Sequence, residues 1–208
     1  MKFYHTPNTC SLGIYVLLEE IGQPYEVSKI DFASRQQYGP EYVSLNPKSK
    51  VPALQFDDGS VLSEWPAIAF FLAARFPQAD LMPLDALQQA RALELTDYVV
   101  ATIHMQGFSR IARPENFAFS EGDHDKVKQR GREIMQRGFE ILSDRIIGPY
   151  VLGKFSFADA ALFYVEHWAV TRAGLSLPQK CREHLETMLL RPSVQAMLER
   201  DNLTYKAA

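Results

Sequence analysis

The spacing of apolar positions changes character near residue 76. Before it, short extended runs alternate with helices; from about Ala86 a helical period persists almost to the end. Residues 2–5 predict a short strand and Thr6-Pro7-Asn8 a turn. Over 11–21 the apolar Ile14, Leu17, Leu18 and Ile21 fall on one helical face, and Gly22 followed by Gln23-Pro24 is a good stop. Residues 25–31 predict a second strand, parallel to the first because a helix connects them. The stretch after it, rich in Gln and Ser, shows no period. Residues 51–56 and 60–63 predict a hairpin closed by Asp57-Asp58-Gly59. Pro66 opens a helix to about Arg75, since proline suits a first turn where no donor is needed. The second half predicts helices over 87 to about 112, 125–147, 156 to about 174, 179–190 and 192–200, broken at Arg113-Pro114 and Gly148-Pro149. These two textures predict two domains, 1–76 and 86–208, with 77–85, carrying Pro77 and Pro83, as the linker.

Composition narrows the class. The 208 residues, 47% hydrophobic and 12% aromatic, can fill a sizeable core. A net charge of −3 arises from 22 basic and 25 acidic residues without a run of like charge, so neither nucleic acid nor an anionic membrane is an expected partner. The first residues, MKFYHTPN, reach Thr6 and Pro7 before an apolar run forms, unlike a secretory signal. No apolar stretch approaches the ~18 residues that span a bilayer. Cys10 and Cys181 lack a CxxC or a Cys/His cluster at zinc spacing. A reducing, cytoplasmic setting without disulfide or metal is expected.

Three places could carry chemistry. Cys10 stands beside the start of the first helix, where backbone N–H groups and the helix dipole favour a thiolate; the competing reading is a buried, inert plug. Ser11 could donate to a bound thiolate or simply cap the helix. Val51-Pro52 opens a strand with a residue that has no ladder donor, which suits an edge able to pair with an extended ligand. Glu64-Trp65-Pro66 lies where a strand gives way to a helix. Such an end can hold a carboxylate on its amides, and Glu64 can accept from an ammonium group or be no more than a solvated residue at a helix start.

These features together, with "NPKSKVPAL", "LSEWPAIAFFLA" and "FSFADAALF", resemble the cytosolic glutathione transferase family over essentially the whole chain. "PNTCSL" is most similar to the bacterial beta-like class, whose cysteine at this position lies near the glutathione sulfur. The resemblance implies an α+β two-domain fold: a thioredoxin-like β-α-β-β-α domain that binds glutathione, then an all-α helical bundle. It implies a cis Pro52 and a capping box of Ser156 with Asp159, structural rather than catalytic. It implies a cytoplasmic homodimer with glutathione as co-substrate, no metal, and a detoxifying transferase activity in which the glutathione thiolate attacks a small hydrophobic electrophile.

Carried over by position, Cys10 and Ser11 lie at the thiol, Lys50, Val51 and Pro52 along the peptide, and Glu64 with Trp65 at the γ-glutamyl end. Tyr4, where other classes keep a catalytic tyrosine, reads as core. Two departures stand out. The family usually has serine, or glycine in relatives of this type, where this chain has Trp65; indole cannot cap a helix, and its bulk would narrow the γ-glutamyl pocket. The cleft histidine of beta-like enzymes corresponds to His104, or, if aligned on Gly107-Phe108, to Met105. Met105, Phe108 and Phe117 are the expected substrate wall, whereas Tyr164 and Trp168, four apart, suit a helical core. Two other readings follow from the same residues: a thiol transferase or reductase using Cys10 as nucleophile through a monothiol route, and a non-catalytic binding or regulatory module, favoured by Trp65.

Overall fold

A computed structural model describes residues 1–205 of the chain. Residues 206–208, the tail of the expected helical domain, lie outside the described residues. Two compact units emerge among the described residues, Met1–Met82 with Pro192–Thr204, and Pro83–Arg191 with Tyr205.

The first unit is built on a mixed four-stranded sheet, ordered β2-β1-β3-β4. Strand β1 (Lys2–His5) leads through α1 (Ser11–Ile21) to β2 (Glu26–Lys29), parallel to β1 with Phe3 opposite Val27. The short α2 (Pro40–Leu45) fills the unpatterned connection, and β3 (Ala53–Gln55) then runs antiparallel to both β1 and β4 (Val61–Ser63). Helix α3 (Trp65–Arg75) completes the thioredoxin-like order. Gly22 ends α1 in the left-handed conformation, φ 65°, with its N–H donating to the Leu18 carbonyl. Phe3, Leu12, Ile14, Leu17, Leu54 and Ile68 are wholly buried and join the sheet to its helices.

The expected domain division changes at one element. Helix α9 (Pro192–Arg200) belongs to the first unit, where it packs on α1. Its Val194 and Met197 are buried, the Ser193 hydroxyl bonds to Glu20, and Arg200 pairs with Glu19 at 3.0 Å. Local periodicity identifies the helix but says nothing about the surface it covers.

The second unit is helical. Helix α4 (Ala86–Asp97) continues as a π-helix over Tyr98–Phe108 and ends in the single turn α5 (Ser109–Ala112). Then come α6 (His124–Ser143), α7 (Phe157–Trp168), which also runs on into a π-turn at Ala169–Ala173, and α8 (Gln179–Leu189). The π-segment packs tightly on α6: a Cβ on Gly131 would lie 2.7 Å from the Gly107 carbonyl oxygen. The Ser156–Asp159 capping box forms at the start of α7. Asp159 also faces the buried His184, whose ring lies 3.1 Å from Asp159 and 2.8 Å from Glu166. No helix among the described residues is long and apolar enough to cross a membrane.

Candidate functional site

Three loops of the first unit meet at one end of the sheet. The first follows β1 and holds Cys10 as the N-cap of α1; the second precedes β3 and contains the cis Val51–Pro52 bond; the third joins β4 to α3 at Glu64. They are linked in every pairing. The partly exposed Cys10 Sγ donates to the Val51 carbonyl at 3.5 Å. The Trp65 indole donates to the Cys10 carbonyl at 2.9 Å, and Lys48 Nζ lies 2.7 Å from Glu64 Oε1 and 3.0 Å from Ser63 Oγ.

Each loop contains a non-glycine residue in the left-handed region: Asn8 (φ 58°), Ser49 (φ 55°) and Glu64 (φ 75°). Such conformations cost of order 1–3 kcal/mol and persist where surrounding contacts over-determine them. The contacts are visible for the second loop, where the Lys50 carbonyl accepts from Tyr42 Oη at 2.6 Å and Asn46 Nδ2 at 2.9 Å. Two helix N-termini, those of α1 and α3, open at these loops, and neither N-cap side chain bonds to its own helix. The site therefore offers a thiol, a buried backbone edge at Val51, an exposed carboxylate at Glu64 and the positive ends of two helices.

The expected residues divide. Cys10, Val51, Pro52 and Glu64 come together, and Lys50 enters through its backbone while its side chain is exposed. Ser11 does not: it is wholly buried, and its hydroxyl lies 2.7 Å from His5 Nδ1, 2.6 Å from Thr9 Oγ1 and 3.2 Å from the Thr6 carbonyl. An oxygen so committed to the interior offers nothing to a ligand thiol. Trp65 is not in a pocket either. It is 4% exposed, lies beneath the loops and ties two of them together.

In the second unit, His104 turns inward, its Nδ1 3.3 Å from the Tyr164 hydroxyl and its ring 4.9 Å from that of Trp168. Met105, by contrast, is 46% exposed. Phe108 is buried and stacks on Trp168 at 4.2 Å, with Arg172 over its face at 4.9 Å, so it is core rather than open wall. Phe117 remains partly exposed under the Arg110 guanidinium. Tyr164 and Trp168 are buried as core.

Lys48 was not singled out by the sequence, although its charge beside the Ser49-Lys50 turn was a usable sign. The indole bond of Trp65 had one too, because a buried tryptophan usually finds an acceptor.

Comparison with known proteins agrees with this geometry. Residues 9–75 match the glutathione S-transferase N-terminal domain. The chain is similar to glutathione S-transferase GstA of Escherichia coli O157:H7, 30% identical across 98% of this chain and 100% of the relative. The chain belongs to the glutathione S-transferase family. Among solved structures, the fold is similar to a Sulfitobacter glutathione transferase homologue with bound glutathione: TM-score 0.89, 31% identity, 96% of this chain and 97% of that one. It is likewise similar to the bacterial beta-class glutathione S-transferase of Sphingomonas chungbukensis: TM-score 0.84, 28% identity, 98% and 100% covered. Among the described residues of this family member, no group of His, Cys, Asp and Glu side chains is placed to hold a metal ion.

Proposed function

We propose that this transferase binds glutathione across the three linked loops in the manner of the beta-like class, with the ligand sulfur beside Cys10. The observation that carries the reading is the closed set of links Cys10–Val51, Trp65–Cys10 and Lys48–Glu64. It suits an extended tripeptide: the Val51 backbone pairs with the ligand amides, the α3 N-terminus receives a carboxylate, and Glu64 receives the ammonium group in competition with Lys48. Hydrogen bonding and the α1 N-terminus lower the thiol pKa of bound glutathione, whose proton leaves to solvent. The thiolate then forms a carbon–sulfur bond to a small hydrophobic electrophile as the leaving group departs with its electron pair. The protein works as a cytoplasmic homodimer, as is typical of the family.

Titration calorimetry with glutathione tests binding; no heat at millimolar ligand overturns the proposal. Conjugation of a chlorinated nitroarene then tests the nucleophile. Cys10→Ala is expected to keep this activity, because glutathione carries the reacting sulfur. Abolished conjugation with glutathione binding intact would instead make Cys10 the attacking thiol.

A further inference from the structure

Behind the thiol loop, and unused by the glutathione reading, runs a buried polar chain. His5 Nδ1 lies 2.7 Å from Ser11 Oγ, and His5 Nε2 lies 2.6 Å from Asp201 Oδ2. The side chains of His5 and Asp201 are wholly buried. Asp201 follows α9 and is 196 positions from His5, yet both belong to the first unit. At one end Lys29 Nζ, from β2, stands 3.3 Å from Asp201 Oδ1. At the other, Ser11 Oγ is 2.6 Å from Thr9 Oγ1 and accepts from the Thr6 N–H at 3.4 Å. Tyr15 and Phe3 pack their rings on His5 at 5.0 and 5.4 Å.

The chain has a direction. An ionised Asp201 can only accept, so it places the imidazole proton on Nε2. Nδ1 of that tautomer accepts, and the hydroxyl of Ser11 is the donor within reach. With its one proton given to His5, Ser11 receives from the Thr6 N–H, and it lies against the Thr9 hydroxyl, which itself donates to the Thr6 carbonyl at 2.8 Å; Thr6 and Thr9 form the turn leading into Cys10. The hydrogen-bond polarity of that turn is thereby set from the far end of the sequence.

We infer that Asp201 is a positioning residue for the thiol loop, acting through His5 and Ser11 on the 6–10 segment and so on Cys10. Its consequence for ligand binding rests on the glutathione reading; its consequence for Cys10 itself does not. The test is Asp201→Asn, which keeps the shape but lets an amide N–H face Nε2 and so favours the Nδ1–H form, reversing the bond to Ser11. Nitrogen-15 NMR is expected to show His5 changing from Nε2–H to Nδ1–H. The rate of Cys10 alkylation by iodoacetamide should change with it, Cys181 being buried, and the glutathione Kd should rise about tenfold, equivalent to about 1.4 kcal/mol.

A second variant, Thr9→Val, leaves the Ser11–His5–Asp201 chain in place and removes its contact with the Thr9 hydroxyl together with that hydroxyl's bond to the Thr6 carbonyl, while the Thr6 N–H contact to Ser11 stays. It should alter Cys10 alkylation in the same sense, with no further change in the double variant. An unchanged tautomer in Asp201→Asn, or a changed one with Cys10 reactivity unmoved, overturns the inference. If Asp201→Asn does not fold, unaltered alkylation in Thr9→Val overturns it. Failure of the wild type to bind glutathione, with alkylation still responding to these variants, would remove the glutathione reading and leave the positioning role standing.

Discussion

Trp65 should act as a strut rather than as a plug, and the two roles give opposite outcomes. In Trp65→Phe the indole N–H bond to the Cys10 carbonyl is lost. That carbonyl also accepts from the Gly13 N–H at 3.3 Å, so it is not orphaned, and the loss is that of an ordinary hydrogen bond, about 0.5–1.5 kcal/mol. The smaller ring leaves roughly 40 Å³ unfilled, which at about 24 cal/mol per Å³ adds about 1 kcal/mol. Trp65→Phe should therefore cost about 2 kcal/mol, and Trp65→Ala about 3–5 kcal/mol. Urea unfolding followed by circular dichroism is the assay. Fluorescence is unsuitable, because the chain has two tryptophans and the substitution would leave only Trp168, in the other unit. With the strut cut, the Glu64 and Cys10 loops lose their tie and glutathione binding should weaken. Tighter binding by Trp65→Phe would refute this reasoning and restore the view that the indole narrows the γ-glutamyl pocket; a loss of under about 0.5 kcal/mol would show that the bond contributes nothing.

Two further outcomes concern the helical unit. Gly131→Ala would gain about 1 kcal/mol from helix propensity alone, but its Cβ would meet the Gly107 carbonyl oxygen at 2.7 Å. A net loss of about 1–3 kcal/mol is expected, measured by thermal melting with Gly122→Ala as a control whose Cβ meets nothing nearer than 3.6 Å. Stability should also fall as pH rises from about 7 to 9. Burial would push the His184 imidazolium down, but Glu166 and Asp159 outweigh it and hold its pKa at about 10. Its contribution is complete below the unfolded value of 6.5 and is lost on the way to 10, at up to about 1.4 kcal/mol per pH unit. Below 7 two trends oppose: burial raises Glu166 to about 7, which favours low pH, and lowers His167 to about 4, which favours high pH. Urea midpoints across pH would check this, and a flat profile from 7 to 9 would contradict it. His184→Gln should flatten the slope while costing about 3–5 kcal/mol by leaving buried carboxylates unpaired.

What the sequence revealed is what local chemistry controls. Helix α1 was legible at both ends because the turn and Gly22 bound it, yet the single apolar face was not its real environment. From Ser11 to Leu18 every residue is buried, so periodicity could not tell that Ser11 points into the interior. Helix α2 escaped notice because six residues carry too little period, and it matters mainly through Tyr42, whose hydroxyl holds the Lys50 carbonyl. The π-winding of Tyr98–Phe108 displaces side chains from the 3.6-residue period, and the choice between His104 and Met105 rested on the register of alignment, on the histidine or on Gly107-Phe108, which no local period could decide. Asp201 gave no local sign at all, since its partner His5 is a tertiary neighbour. Family motifs, by contrast, marked Cys10, the cis Pro52 and Glu64, whose geometry is set by turns within a few residues of each.

Glu64 separates what a residue does for the fold from what it does for a ligand. At φ 75° it occupies a conformation that glycine adopts without strain, and its ion pair with Lys48 joins side chains that are 61% and 52% exposed, a pairing that contributes at most about 1 kcal/mol. Glu64→Gly should therefore leave stability nearly unchanged or raise it by up to about 1 kcal/mol. Glu64→Gln keeps the backbone strain and loses the charge, and should be slightly less stable than the parent. Binding should not follow stability: both variants remove the carboxylate proposed to accept the ligand ammonium, so both should weaken glutathione binding. Calorimetry beside urea unfolding checks the pair. If Glu64→Gly keeps full affinity, the carboxylate has no part in recognition and the strained residue is left without a reason. If Glu64→Gly is stable but binds poorly, a carboxylate at a left-handed position is retained for the ligand at the expense of the fold, as expected where local strain serves a site.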